Sequence, residues 1–501
     1  MDLQSFAIGL STILTPTNLF FCFLGCLIGT LVGVLPGLGS AGAIALLIPF
    51  TLGLPTATSL IMLAGIFYGA MYGGSTTSIL VNIPGETSSA ITCLDGYQMA
   101  RQGRAGRALG MAAFASFIAG TFGVLLLTVM APQIARFALR FGQPEFFALM
   151  FLGLTLVAYL AHGSMIKAFA IASVGMILGT VGIDSVSGTN RFTFGFREIF
   201  DGLGLVPVIM GLFGISEVML NLEETFKREL FKTHIGGLLP DRQDWKASLA
   251  PIGRGTILGF LIGLFPGPVG TTSSFVSYIL EKKVSRHPER FGKGAIEGVA
   301  GPEAANNAAS SGAFIPLLTF GIPTTASIAL LLSALMIHGV IPGPLLIRKN
   351  PDVFWGTILS MYVGNIMLLI LNLPLIGVWV KLLKVPYGIL FPLILLICLI
   401  GAWSNNNNLW EVDLMIIFGL IGYLIRKTGF EPAPMIFAYI LCPQIEESFR
   451  QSLLISGGSF TIFFARPISA TLLLTALFFI LASIFSSGKR RRLLERIEET
   501  E

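Results

Sequence analysis

The chain has 501 residues, 54% of them hydrophobic and 12% charged, with a mean hydropathy of +0.81. A soluble domain carries about twice that charged fraction, so the composition excludes an ordinary soluble enzyme or binding module and points to an all-α polytopic membrane protein. The net charge of +5 does not indicate nucleic acid, because the cations lie beside apolar runs, as in membrane-flanking loops.

In chain order, residues 1–17 lack a basic region and a cleavage site, so no removable signal peptide is expected. Full-length apolar runs then cover 109–131, 146–161, 166–183, 354–380, 387–403 and 463–485. Shorter or broken runs cover 19–50, 60–83, 203–220, 255–280, 313–340, 412–425 and 435–441. At ~20 residues per crossing, these predict roughly ten to twelve transmembrane segments plus re-entrant pieces. Two membrane repeats are expected at 1–220 and 251–485, the second with extra C-terminal helices, joined by a polar linker at 221–250. A basic tail at 486–501, with Lys489, Arg490, Arg491 and Arg492, places the C-terminus in the cytoplasm.

The repeats rest on a glycine-proline knot that occurs twice, about 230 residues apart. Leu31-Val-Gly-Val-Leu-Pro-Gly-Leu-Gly39 is echoed by Leu261-Ile-Gly-Leu-Phe-Pro-Gly-Pro-Val269, and Asn82-Ile-Pro-Gly85 by Gly321-Ile-Pro-Thr324. Each knot interrupts an apolar run and leaves too few residues after it to span alone. Duplicated broken segments are the mark of a secondary transporter with its site near the bilayer midplane. The cationic bias also switches between copies. Arg101, Arg104 and Arg107 fall late in the first, and Lys282, Lys283, Arg286, Arg290 and Lys293 fall early in the second. That is expected of inverted repeats.

Candidate substrate and ion ligands follow from these breaks. Gly37, Gly39, Gly267 and Gly270 permit tight backbone turns, and half-helices starting near Ser40 and Thr271-Thr272 would offer free N–H groups to an anion. Ser75, Thr76, Thr77, Asn82, Pro84 and Gly85 line the second break of the first copy; Asn306, Asn307, Thr324 and Thr325 line that of the second. Their neutral oxygens suit a weakly held monovalent cation, with sodium near Asn82 or Asn306, and their amides and hydroxyls can grip a carboxylate. Any single Ser or Thr here is as readily interhelical glue. The acids bordering apolar runs, Asp95 among them, are expected to be interfacial and solvated, with Glu86 and Glu303 as exceptions. Cys22, Cys26, Cys93, Cys398 and Cys442 lack metal-site spacing, and no catalytic constellation is visible. No cofactor is expected, and a membrane enzyme is the remote alternative.

Gly33-Val-Leu-Pro-Gly-Leu-Gly39, Tyr68-Gly-Ala-Met-Tyr-Gly-Gly-Ser75, Asn82-Ile-Pro-Gly85, Asp95-Gly-Tyr97, Phe265-Pro-Gly267, Gly301-Pro-Glu-Ala-Ala-Asn-Asn307 and Gly321-Ile-Pro323 together resemble the large membrane subunit of the tripartite tricarboxylate transporters. The resemblance implies a bacterial inner-membrane permease with two partners, a small four-helix membrane subunit and a periplasmic substrate-binding protein. It also implies import of citrate-like tricarboxylates or other organic acids, coupled to a cation gradient. The alternative is a stand-alone secondary carrier for another solute. Pro268-Val269 departs from the glycine-rich continuation Leu38-Gly39.

Overall fold

The computed structural model describes residues 3–35, 39–160, 164–184, 187–223, 237–382 and 387–498. Apart from one two-residue ladder, Gly182–Ile183 against Asn190–Arg191, the regular structure of the described residues is helical. Six helices among them are long and apolar enough to cross a membrane, and six shorter apolar helices accompany them. The fold is that of an all-α, multi-pass membrane protein.

Helices α1 (Leu3–Ile13) and α2 (Pro16–Val34) are separated by Thr15, whose side chain accepts from Asn18 N and caps α2, with Pro16 supplying a first residue that needs no donor. The half-helix α3 (Gly39–Thr51) follows the first knot, and α4 (Thr56–Val81) follows Pro55. After the second break come a π-turn at Cys93–Tyr97, α5 (Gln98–Arg101) and the long α6 (Ala105–Ala138). Helices α7 (Gln143–Leu160), α8 (Met165–Gly179), α9 (Leu205–Ile209) and α10 (Ser216–Glu223) complete the first half.

The second half begins with α11 (Arg242–Gly263), capped reciprocally by Asp241 and Asp244. The half-helix α12 (Val269–Val284) follows the second knot. Next are α13 (Glu297–Gly312), α14 (Phe314–Phe320), α15 (Ala326–Ile337), α16 (Leu346–Lys349) and α17 (Pro351–Asn372). The chain ends with α18 (Ile376–Leu382), α19 (Tyr387–Asn406), α20 (Leu409–Lys427), α21 (Ala433–Ile455), α22 (Ile462–Ala465) and α23 (Pro467–Glu498), the last running through the basic segment.

Two compact units emerge. The first comprises Met1–Ala138, Gly204–Phe265 and Val269–Leu424; the second comprises Leu139–Leu203, Pro266–Pro268 and Ile425–Glu501. Compactness thus cuts the chain differently from the duplication, because helices of the two copies are interleaved in the first unit. There α6 packs on α13, and α17 packs on α2 and α4. The duplication reappears as two glycine ladders. In the first copy a Cβ on Gly25, Gly29 or Gly33 would strike the backbone of Met62, Ile66 or Ala70 in α4. In the second, Gly255, Gly259 and Gly263 face Gly301, Ala305 and Ala309 of α13 in the same way. Small residues four apart let two backbones touch where lipid offers no hydrophobic drive for association.

Equivalent loops lie toward opposite ends of α4. The segment 51–58 leads into its N-terminus, near which Thr58 bonds Asn18. In the second copy the matching segment meets residues beyond the C-terminus of α4: Gln102 donates to Lys293 O and Arg104 to Gly294 O, each at 2.8 Å.

In the second unit, Glu145 pairs with Arg466 at 3.0 Å. Asp184 holds Arg191 and Arg450 at 2.7 and 2.9 Å, and both arginines also reach Glu446. Phe449 and Phe463 stack, and Phe147 meets both rings at a tilt.

Candidate functional site

The two half-helices begin in different company. At the start of α3, Gly39 takes a left-handed φ of +60° and Ser40 N donates to the Glu86 carboxylate in a short bond. The positive end of α3 is thus occupied by an acid from the chain itself. The Ser40 hydroxyl lies 2.9 Å from that of Ser327, next to the break that precedes α15. At the start of α12, a Cβ on Gly270 would come 2.8 Å from Asn306 Oδ1 and 3.0 Å from Ser88 Cβ, so Asn306 faces the opening turn of this half-helix. Asn306 is 1% exposed, and neither side-chain amide atom has a hydrogen-bond partner among the described residues. Such a group is rare in a protein interior and marks a position where a ligand or a water can bind. Thr324 Oγ1, at the matching break, is likewise buried and unpartnered.

One turn before Asn306 stands Glu303, 1% exposed. Ser75 Oγ of α4 and Thr92 Oγ1 donate to its two oxygens at 2.7 and 2.5 Å, and Ser116 Oγ of α6 approaches at 3.4 Å. Asn307 donates to Ser116 Oγ at 2.7 Å and to Glu303 O at 3.0 Å. The carboxylate is therefore held by neutral donors from three helical elements, with no ion pair. Among the described residues, no group of three His, Cys, Asp or Glu side chains could hold a metal ion.

The remaining candidates divide between local backbone roles and open positions. Thr77 donates to Val34 O at 2.6 Å and so satisfies the carbonyl left free where α2 ends. Thr325 caps α15 by accepting from Ile328 N. Asn82 and Pro84 are exposed; Asn82 closes α4 at φ +60°, as Gly321 closes α14 at φ +68°. Gly85 lies where a Cβ would strike Gly33 O, so it seals the break against the α2–α4 crossing. Thr76 is buried; Thr271 is half-buried with its hydroxyl 3.2 Å from that of Thr87, and Thr272 is half-buried. In the second unit Gly267 adopts φ +146°, and a Cβ there would meet Leu160 Cδ1 at 2.5 Å. Gly37 lies outside the described residues.

Sequence reasoning placed Asp95 among solvated acids, and the structure corrects this: Asp95 is fully buried and accepts four hydrogen bonds. Reading each half alone hid its partners, all of which come from the second copy. Ser116 and Asn372 were also missed. Their signal was available, since each is a polar residue inside or ending an apolar run.

The sequence profile of the Tripartite tricarboxylate transporter TctA family matches residues 19–437. An uncharacterized 52.8 kDa protein in the TAR-I ttuC' 3'region of Agrobacterium vitis is 49% identical over 500 residues, covering all of both chains. An uncharacterized protein in the TAR-II ttuC' 3'region of the same organism is 47% identical over 234 residues, which is 47% of this chain and 97% of that protein. No solved structure matches.

Proposed function

We propose a cargo and an energy source for a chain that belongs to the tripartite tricarboxylate transporter TctA family and is therefore the permease subunit of such a transporter. The cargo is a small organic carboxylate, a tricarboxylate or dicarboxylate, moved inward across a bacterial inner membrane with the C-terminus in the cytoplasm. The energy comes from a monovalent-cation gradient, sodium in preference to protons. A small four-helix membrane subunit and a periplasmic binding protein complete the system, and the latter delivers the acid.

The observation that carries this reading is the buried, unpartnered amide of Asn306 facing the first turn of α12. An amide donates two hydrogens to a carboxylate without adding a fixed charge, and the free N–H groups of a half-helix add a favourable dipole. Contact between Ser40 N and Glu86 supports the same chemistry at α3, where a carboxylate already sits. Neutral donors bind less tightly than arginine forks, which suits a site that must also release its cargo.

The test is uptake into proteoliposomes holding all three proteins, across a panel of labelled organic acids, with sodium or proton gradients imposed. Accumulation of a tricarboxylate or dicarboxylate driven by sodium is expected, with Asn306→Leu lowering uptake about tenfold, the loss of ~1.4 kcal/mol of binding. Absence of uptake for every acid would remove the cargo. Equal accumulation with no cation gradient would remove the energy source.

A further inference from the structure

We propose that a cavity between α4, α6 and α17 holds one sodium-sized monovalent cation, with Glu303 as its counter-charge. This assignment rests on the cation-coupled reading above and gives the ion a place. Tyr72, Ser75, Thr76, Ser116 and Asn372 line the cavity, which has room for one water-sized particle.

Apart from the Thr76 hydroxyl, the polar atoms there are biased toward acceptors. Ser75 and Ser116 direct their hydroxyl hydrogens to Glu303, and Tyr72 donates its own to Asn365 Oδ1. A hydroxyl has one hydrogen and two lone pairs, so each of these oxygens retains only acceptor capacity. Asn372 is 5% exposed; its Nδ2 donates to Leu368 O at 2.9 Å, while its Oδ1 has no partner among the described residues. A water molecule brings two hydrogens but also lone pairs that need donors, whereas a cation needs only oxygens. The carboxylate one bond behind Ser75 and Ser116 polarises both hydroxyls toward the cavity and supplies the charge.

The same arrangement selects the ion. No basic side chain pairs with Glu303 among the described residues, so a charge on it needs a bound cation to balance it. A single carboxylate neutralises a monovalent ion and would leave a divalent one with net charge in a medium where charge is costly. Hard neutral oxygens suit an alkali cation and not a soft metal. Glu303 and Asn306 are three residues apart on α13, so ion and cargo would bear on one turn of one helix, which provides a short route for coupling.

Binding of ²²Na⁺ to the purified full-length protein in nanodiscs, without partners or carboxylate, tests the assignment. Saturable binding is expected. Glu303→Gln and Asn372→Leu should each weaken it about tenfold, and Ser116→Ala by a smaller factor. Thermal melting and size exclusion accompany each variant; should Glu303→Gln fail to fold, Asn372→Leu and Ser116→Ala carry the comparison. Unchanged affinity in folded variants, or no saturable binding by the wild type, overturns the site. If sodium still drives uptake in proteoliposomes while no sodium binds here, the site falls and the coupling stands. If sodium binds here and uptake ignores its gradient, the site stands and the coupling falls.

Discussion

Tyr278 donates its hydroxyl hydrogen to Asp95 Oδ2 at 2.8 Å, tying a residue of the second copy to one of the first. The other oxygen, Oδ1, accepts from Gly292 N, Gly294 N and Ala295 N at 2.9, 2.7 and 2.8 Å. Gly292 and Gly294 have φ values of +80° and +99°, which turn successive amides toward one point. The first copy thus supplies the carboxylate and the second supplies a concave set of donors, just ahead of the helix that bears Glu303 and Asn306.

Asp95→Ala should be strongly destabilising. It leaves the buried N–H groups of Gly294 and Ala295, the exposed one of Gly292 and a phenol without an acceptor, at about 1–3 kcal/mol for each that water does not reach. Asp95→Asn keeps one carbonyl oxygen for the amides and should cost less. Thermal unfolding in detergent, followed by fluorescence-detected size exclusion, should rank the wild type above Asn above Ala. Equal midpoints for all three would show that the contact contributes little.

The helical, broken-segment character of the fold was legible because it is written in local runs: membrane-length apolar stretches, with glycine and proline at the knots. The acid that locks the copies together was not, because three of its four donors are backbone amides 197, 199 and 200 residues away, which carry no side-chain signature. Glu303 was flagged as an exception, yet its hydroxyl partners Ser75, Thr92 and Ser116 come from three separate segments that only the fold brings together. For Asn82 the break was read as a ligand position, and the structure adds a backbone role that the sequence hinted at only through its pairing with Gly321.

That backbone role gives a second prediction. Asn tolerates the left-handed conformation at a helix end and β-branched residues do not, at roughly 1–2 kcal/mol. If Asn82 serves only as the cap of α4, Asn82→Gly should retain uptake and stability while Asn82→Val loses both. Loss of cation dependence in a stable Asn82→Gly protein would instead make the side chain a ligand.

The glycine ladders give a third. Gly259→Val should prevent α11 from meeting α13, since a Cβ there would collide with the Ala305 backbone. Gly29→Val should do the same between α2 and α4, where it would collide with Ile66. Gly253 lies on α11 with open space at its Cβ position, so Gly253→Val should cost only the modest difference in helix preference. Monodisperse yield after detergent extraction is the measurement. Similar yields for all three would mean that the helices can separate without loss of the fold.

The last prediction concerns sidedness, because inverted copies are what let one site open alternately to either face: the two end states are related by the pseudo-symmetry. Gln102 and Arg104 touch the 293–294 segment of the second copy, so the two cation-rich loops share one end of the bundle. Thr58 lies toward the other end, where Thr12 of α1 packs by Gly356 at the start of α17. The positive-inside tendency assigns the cation-rich end to the cytoplasm. Single cysteines at Gly53, Gly103, Arg286 and Lys349, all exposed, can be placed in a background lacking the five native cysteines. Four of those native residues are buried and Cys93 is half-buried, so their removal tests little of the surface. An impermeant thiol reagent should label positions 53 and 349 in intact cells, and positions 103 and 286 only after permeabilisation. Labelling of 53 and 286 from the same side would make the copies parallel and remove the inverted-repeat mechanism, whatever the outcome at the other two positions.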